Sequence, residues 1–320
     1  MSQETETVLD RRQLKRSLTL WRVLAIVAVV AALGALGIAG AGGLPERKQI
    51  ARITVEGMIT ENREQLAMLK RIAEADHVAG VVLFVNSPGG TTTGGEALFE
   101  GLRRIAEKKP VVAQFGTVAA SAAYIAGLGT DHIVARGNTI TGSVGVIMQW
   151  PEFTELLAKV GVKMNEIKSG PLKANPSPFQ PLDEQGRKTT EQMINEGQRW
   201  FLSLVASRRS VKTSEISGLE QGRIFSGREA QTLKLVDEIG GEFEAVRWLE
   251  DKRNVPKGLK VVDWKPKRAS SLSALGMLGS AVLAGLGLDG ERIGNVLGAD
   301  PQFGGLGLDG FVSIWHPAKN

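Results

Sequence analysis

The chain of 320 residues contains no cysteine, which excludes disulfide bonds, thiolate nucleophiles and zinc sites with cysteine ligands. Histidine is almost as scarce, since His77, His132 and His316 are the only three. A histidine-rich metal centre is therefore not expected, and any Ser-His-Asp triad would have to use one of these residues. The net charge of +5, from 39 basic and 34 acidic side chains, is too small to indicate nucleic acid as a partner.

The composition that remains, 42% apolar and 23% charged, is typical of a globular protein, but one long apolar run lies near the N-terminus. Residues 23–43 carry no charge, and a helix of that length would span roughly 30 Å, the thickness of a bilayer core. Basic residues concentrate in 1–22, which favours a cytoplasmic N-terminus and the rest of the chain across the membrane. Two alternatives stay open, a buried core helix and a cleaved signal peptide ending near Ala39–Ala41.

Strand-like and helix-like segments alternate through the middle of the chain, which indicates one α/β domain over 49–265. Val78–Val85 is a continuous apolar run, typical of a strand covered on both faces. Further strands are predicted over Thr141–Met148 and Lys163–Ile167, and a long amphipathic helix over Asp183–Arg209. The pattern predicts a mainly parallel sheet with covering helices.

The C-terminal extension, 266–320, is apolar and rich in glycine. Its segment Ser270–Gly290 has leucine spacing that fits a helix, although its glycines weaken the prediction of a spanning helix. A helix packed on the domain or on a neighbour and a peripheral membrane contact both remain open.

Three segments of the α/β domain carry groups suited to chemistry. Asn86–Gly90 (NSPGG) follows a predicted strand, and its glycines let bare N–H groups face a phosphate or an oxyanion, although an ordinary turn fits as well. Ser121 lies among small residues at a predicted helix start, where either a nucleophile or a simple N-cap fits. Lys168–Phe179 is a loop interrupted by prolines that holds two lysines, each of which would ordinarily be a surface residue.

Together these segments resemble the bacterial signal peptide peptidase A family of membrane-bound serine–lysine proteases, whose fold is similar to that of the crotonases and of the Clp protease subunit. The resemblance extends from about Gln49 to Trp264. It rests on five motifs that occur in the same order as in the family: Asn86–Gly90, Ala120-Ser121, Thr141–Gly145 (TGSVG), Gly222–Ala230 (GRIFSGREA) and Leu235–Gly240 (LVDEIG). Ala120-Ser121 matches the first two residues of the family's nucleophile motif, Ala-Ser-Gly-Gly-Tyr.

The resemblance implies a catalytic dyad. Ser121 matches the nucleophile, and Lys173, in Gly170–Lys173 (GPLK), matches the general base. Lys168 lies five residues earlier and is the weaker candidate. A lysine acts as a base only when neutral, and an apolar surrounding favours that form.

The resemblance also implies how the dyad is supported. The backbone N–H groups of Gly90 and Ala122 match the oxyanion donors, and Ser143 matches a serine that orients the lysine. The chain departs from the family where Ala122 and Ala123 replace glycines and where Leu172 replaces tyrosine, which bears on the shape of the pocket more than on the chemistry.

The prediction is therefore a serine endopeptidase with a Ser121–Lys173 dyad and neither cofactor nor metal. The resemblance implies that it degrades residual signal peptides or other hydrophobic peptides. It also implies a single-pass protein of the bacterial inner membrane, in contact with lipid through 23–43 and with its catalytic domain outside the cytoplasm. It further implies a homo-oligomer in which the serine and the lysine come from adjacent subunits. Nucleic acid is not an expected partner, because the net charge is small. A crotonase-like acyl-CoA enzyme and an inactive membrane scaffold are the alternatives.

Overall fold

The computed structural model describes residues 20–27, 47–266 and 312–314. The chain divides into two units, 1–48 and 49–320. In the first unit, residues 20–27 are helical and exposed. Most of the apolar run at 23–43 and all of Ser270–Gly290 lie outside the described residues. Among the residues that are described, no helix has both the length and the apolar character that a membrane crossing requires.

The second unit is an α/β fold built around one sheet. Its strands are β1 (Gln49–Ile59), β2 (Val78–Thr91), β3 (Val111–Ala120), β4 (His132–Ala135), β5 (Ile140–Gly142), β6 (Ile224–Ser226), β7 (Glu238–Ile239), β8 (Val261–Trp264) and β9 (Val312–Ile314). Its α-helices are α1 (Arg63–Glu74), α2 (Thr92–Ala106), α3 (Ala122–Leu128), α4 (Thr154–Lys159), α5 (Glu184–Arg209), α6 (Gly227–Thr232) and α7 (Glu242–Arg253). Two short 3-10 turns, Thr213–Glu215 and Leu219–Gln221, follow α5.

The sheet is parallel at its centre, with the order β6-β5-β3-β2-β1-β8. It forks at β3, whose first half pairs with β4 and whose second half pairs with β5. Only β6 and β9 add antiparallel pairs among the described strands. The predicted mainly parallel sheet with covering helices is confirmed.

The central strands are buried on both faces, as the apolar run in β2 predicts. On one face, Ala245 and Leu249 of α7 pack with Ile50, Val82 and Val112. On the other face lies the larger core, to which α1, α2, α3 and α5 contribute. Helices α1, α2 and α5 begin at capping side chains: those of Asn62, Thr91 and Asp183 accept hydrogen bonds from backbone N–H groups three residues ahead.

Several local predictions are wrong. The strand predicted over Thr141–Met148 ends at Gly142, because Gly142 and Ser143 have φ angles of 86° and 52° and leave the extended region. Lys163–Ile167 is an exposed loop instead of a strand. The predicted turn at Asn86–Gly90 is the last part of β2, which continues to Thr91.

Candidate active site

Ser121 lies on the sharp turn between β3 and α3, as the residue that precedes the helix. Its backbone has φ 59° and ψ −123°, a conformation that a residue with a side chain rarely adopts. The Ser121 N–H donates to the carbonyl oxygen of Gly142 at 2.9 Å, which ties the turn to the end of β5. Strained backbone of this kind concentrates at functional sites, where surrounding contacts hold it in place.

The hydroxyl of Ser121 is buried and unpaired. Ser121 is only 1% exposed, and its Oγ makes no hydrogen bond to any residue that the structure describes. A buried hydroxyl without a hydrogen-bond partner destabilises the folded state. The presence of a serine at this position therefore needs a reason other than stability. The alternative that Ser121 is a simple N-cap is wrong, since its side chain makes no capping hydrogen bond.

Gly90 lies beside the end of β1, where it pairs with Ile59. A Cβ atom at Gly90 would overlap the backbone carbonyl of Ile59, so only glycine fits at this position. The pairing between β2 and β3 ends at Ser87 and Ala119, so β3 does not cover the edge of β2 at Gly89–Thr91. The described strand β9 takes that place, antiparallel to Gly89–Thr91.

Ala122 is the first residue of α3, and its N–H belongs to the first helical turn, whose donors have no acceptor within the helix. The alanine fits because Gly95 of α2 lies opposite: a Cβ at Gly95 would be 3.1 Å from that of Ala122. The sequence interpretation missed Gly95, although a glycine pair inside a predicted helix, Gly94-Gly95, was a visible signal of close packing.

Ser143 lies next to Ser121. Ala120 and Gly142 are paired across β3 and β5, so Ser121 and Ser143 leave the same edge of the sheet from adjacent parallel strands. The Ser143 N–H donates to the carbonyl of Arg223 at 3.0 Å. The structure thus brings the predicted nucleophile and the predicted lysine-orienting serine together.

The two candidate lysines differ in their surroundings. Lys168 Nζ is 2.5 Å from Glu166 Oε2 and 3.3 Å from Gln180 Oε1, so a carboxylate already holds its amine. Lys173 lies in an exposed turn, in which its N–H donates to the Gly170 carbonyl at 3.1 Å. Since Ser121 Oγ has no hydrogen-bond partner, neither amine reaches it within this chain.

The C-terminal motif Leu235–Gly240 contacts the helix that follows Ser121. The hydroxyl of the fully buried Tyr124 in α3 donates to the Leu235 carbonyl at 2.7 Å, and burial raises its pKa. Asp237 accepts from the Ile133 N–H at 2.7 Å and pairs with Arg209. The Tyr124 contact ties this helix to the motif, and the Asp237 contacts tie the motif to β4 and α5.

The histidines of the described residues have other surroundings. The His132 ring stacks on Trp248 at 4.7 Å between centroids and lies 3.4 Å from a Glu238 oxygen. His77 stacks on Trp264 at 5.9 Å. His316 lies outside the described residues. Neither ring is a partner of Ser121 Oγ, which leaves no Ser-His pair among these groups.

Comparison with known proteins agrees with this fold and these motifs. The sequence model of peptidase family S49 matches residues 103–256, and that of Clp protease matches residues 48–138. The first match contains the Ser121 turn and both C-terminal motifs, and the second contains β1, β2 and Gly90. The Clp protease match supports a Clp protease-like α/β fold over the first part of the central domain, and the two matches together cover residues 48–256.

Three relatives extend the comparison. A protein of Synechocystis sp., named "Putative protease", is 37% identical over 204 residues, covering 63% of this chain and 73% of the relative. A protein of Methanocaldococcus jannaschii with the same kind of name is 33% identical over 256 residues, covering 80% and 76%. An Enterococcus faecium protein, named "Putative signal peptide peptidase SppA", is 32% identical over 232 residues, covering 68% and 67%.

The resemblance to signal peptide peptidase A that the motifs indicate is confirmed by these matches. The chain belongs to peptidase family S49.

Proposed function

We propose that the chain is a serine endopeptidase in which Ser121 is the nucleophile and Lys173 the general base. The observation that carries this proposal is the Ser121 hydroxyl, which is buried and unpaired on a strained strand-to-helix turn. A hydroxyl attacks an amide only when a base removes its proton. The lysine amine takes that proton as Ser121 Oγ bonds to the carbonyl carbon, and gives it to the leaving amine as the amide bond breaks, which leaves an ester on Ser121. Water, deprotonated by the same amine, then hydrolyses the ester and frees the serine.

Two backbone donors would stabilise the charge that develops during this attack. Ala122 N–H follows the nucleophile directly, and Gly90 N–H lies on the neighbouring strand β2. Such fixed donors act most strongly in a site from which water is excluded, and the serine turn is buried. Ser143 is placed beside Ser121, where it suits the orienting role for the incoming amine.

We predict that Lys173→Ala is as inactive as Ser121→Ala, because members of a dyad act as a unit. Lys168→Ala is expected to keep most of the activity, since its amine is engaged by Glu166. The measurement is kcat/KM on an apolar fluorogenic peptide for Ser121→Ala, Lys173→Ala and Lys168→Ala. The reverse order of activities would assign the base to Lys168.

The lysine is proposed to come from a neighbouring subunit. Within one chain its amine does not reach Ser121 Oγ. The surrounding region, 147–193, also exposes many large apolar side chains, a surface that monomers rarely present. The exposed apolar side chains of this region are those of Ile147, Phe153, Leu156, Val160, Val162, Met164, Ile167, Leu172, Phe179 and Met193.

The proposed substrates are extended hydrophobic peptides, including signal-peptide remnants. An extended peptide binds readily by adding a strand to a free sheet edge, and Gly89–Thr91 accepts β9 in this way. The name of the Enterococcus faecium relative agrees with this class of substrate.

We further propose that 23–43 anchors the protein in the bacterial inner membrane, with 49–265 as the peptidase domain outside the cytoplasm. The support is the uncharged run and the basic residues before it. The full chain should then stay in the membrane fraction on alkaline extraction, and the fragment 49–320 should not. A full chain released by alkali would contradict the anchor.

A fluorophosphonate probe tests the function, because it forms a covalent bond only with an activated serine. The expected result is labelling of the assembled wild-type protein at Ser121, located by peptide mapping. A crotonase-like enzyme of the same fold would use the two donors without a serine nucleophile, and an inactive scaffold would have no activated serine. Neither would be labelled, so an unlabelled Ser121 would overturn the proposed function.

A further inference from the structure

Ser87 is a fully buried hydroxyl that the proposed chemistry does not use. It is 0% exposed and lies in β2, three residues before Gly90. Its Oγ donates to the carbonyl oxygen of Gly57 at 2.6 Å and accepts from the N–H of Gly89 at 3.1 Å. One side chain thus bridges two strands and holds the residue next to the proposed oxyanion donor.

Both backbone groups that Ser87 holds belong to irregular points of the sheet. Gly57 has φ 67° and lies where the register between β1 and β2 shifts, between Glu56 and Met58. Gly89 has φ 117°. Regular ladder pairing resumes only at Met58 and Ile59, opposite Gly89 and Gly90. Two glycines with such angles are free to move unless another group fixes them.

The direction of the Gly90 N–H depends on the peptide unit between Gly89 and Gly90. The backbone of Ile59 confines that unit on one side, where a Cβ atom on Gly90 would overlap the Ile59 carbonyl oxygen. The Gly89 carbonyl, which belongs to that unit, lies 3.4 Å from Ser87 Oγ, and the Gly89 N–H of the preceding unit donates to the same oxygen at 3.1 Å. The sequence analysis drew on the glycines of Asn86–Gly90 and assigned no role to Ser87.

We propose that Ser87 is a positioning residue of the peptidase reaction, which orients the Gly90 N–H toward the oxyanion by clamping Gly57 and Gly89. The inference rests on the proposed function, since it concerns the donor of that reaction. Oxyanion stabilisation requires a donor about 2.7–3.1 Å from the charged oxygen, so a small displacement weakens it mainly in the transition state. Ser87 then acts on kcat and not on binding of the ground-state peptide.

The test compares Ser87→Ala, Ser87→Cys and Thr130→Val in the assembled full-length protein. Thr130 is the matched control, because its buried hydroxyl also donates to a backbone carbonyl, that of Gly127 at 2.7 Å, at the far end of α3. Ser87→Ala is expected to lower kcat by about 10-fold to 100-fold with KM changed by less than about twofold. Ser87→Cys keeps a weaker hydrogen-bonding group and is expected to fall between alanine and wild type. Thr130→Val is expected to keep the wild-type kcat.

Thermal unfolding separates positioning from stability. Ser87→Ala and Thr130→Val should lower Tm to a similar extent, while only the former lowers kcat. The inference is overturned if Ser87→Ala keeps the wild-type kcat, or if Thr130→Val loses kcat equally. A failure of the proposed function looks different, because Ser121→Ala would then remain active and unlabelled by the fluorophosphonate, whatever Ser87→Ala does.

Discussion

Replacing Ser121 by alanine is expected to lower peptidase activity below about one-hundredth of the wild-type kcat/KM, since loss of a serine nucleophile removes the covalent route altogether. What remains would come from the oxyanion donors and from substrate binding alone. The measurement is kcat/KM on an apolar peptide with equal amounts of oligomer. Activity above that level would show that Ser121 is not the nucleophile.

The stability of the same variant separates a catalytic serine from a structural one. Ser121 Oγ is buried without a partner, so its removal relieves the cost of an unpaired hydroxyl, typically about 1–3 kcal/mol. Alanine and serine have the same difficulty with the positive φ of this turn, so the backbone strain does not change. Measured on dissociated subunits, in which no neighbouring lysine reaches Ser121, the Tm of Ser121→Ala should therefore be equal to or higher than that of the wild type. A clearly lower Tm would indicate that the hydroxyl stabilises the fold.

The sheet could be predicted because a strand that is buried on both faces has a continuous run of apolar residues. The valine-rich start of β2 follows from that pattern. The second half of β2 could not be predicted, because Asn86–Gly90 has turn composition and its extended form depends on pairing with strands from other parts of the chain. The early end of β5 could not be predicted for a related reason, since Ser143, which has a positive φ, donates to the carbonyl of Arg223, far along the chain.

The residues of the site were predicted from the family resemblance, whereas their hydrogen bonds and ion pairs are visible only in the structure. No sequence pattern shows that the Ser121 hydroxyl lacks a partner or that Glu166 engages Lys168. The bridging role of Ser87 depends on Gly57, which lies thirty residues away on another strand. Contacts of this kind arise from tertiary structure and have no local periodicity to reveal them.

The separation of Ser121 from Lys173 within one chain leads to the proposal on assembly. Lys173 lies in a stretch, 169–181, that contains no described helix or strand. Extended, such a stretch would span roughly 40 Å, enough to reach the active site of a neighbour. The exposed apolar side chains of 147–193 would be covered by the same contact.

Mixing the two inactive variants tests this proposal directly. Subunits of Ser121→Ala supply Lys173, and subunits of Lys173→Ala supply Ser121. In a ring assembled at random from equal amounts, about one quarter of the interfaces join an intact serine to an intact lysine. Denatured and reassembled together, the mixture should recover about one quarter of the wild-type activity.

The controls are each variant reassembled alone, which should stay inactive, and wild type reassembled with an equal amount of the Ser121→Ala/Lys173→Ala double variant. If the dyad spans two subunits, this second mixture also keeps only about one quarter of its sites, because an intact pair again requires two intact neighbours. If the dyad forms within one chain, it keeps about one half, and the mixture of single variants recovers nothing. Subunit exchange is verified by size-exclusion chromatography with differently tagged chains, so that an inactive but fully mixed oligomer contradicts the shared site.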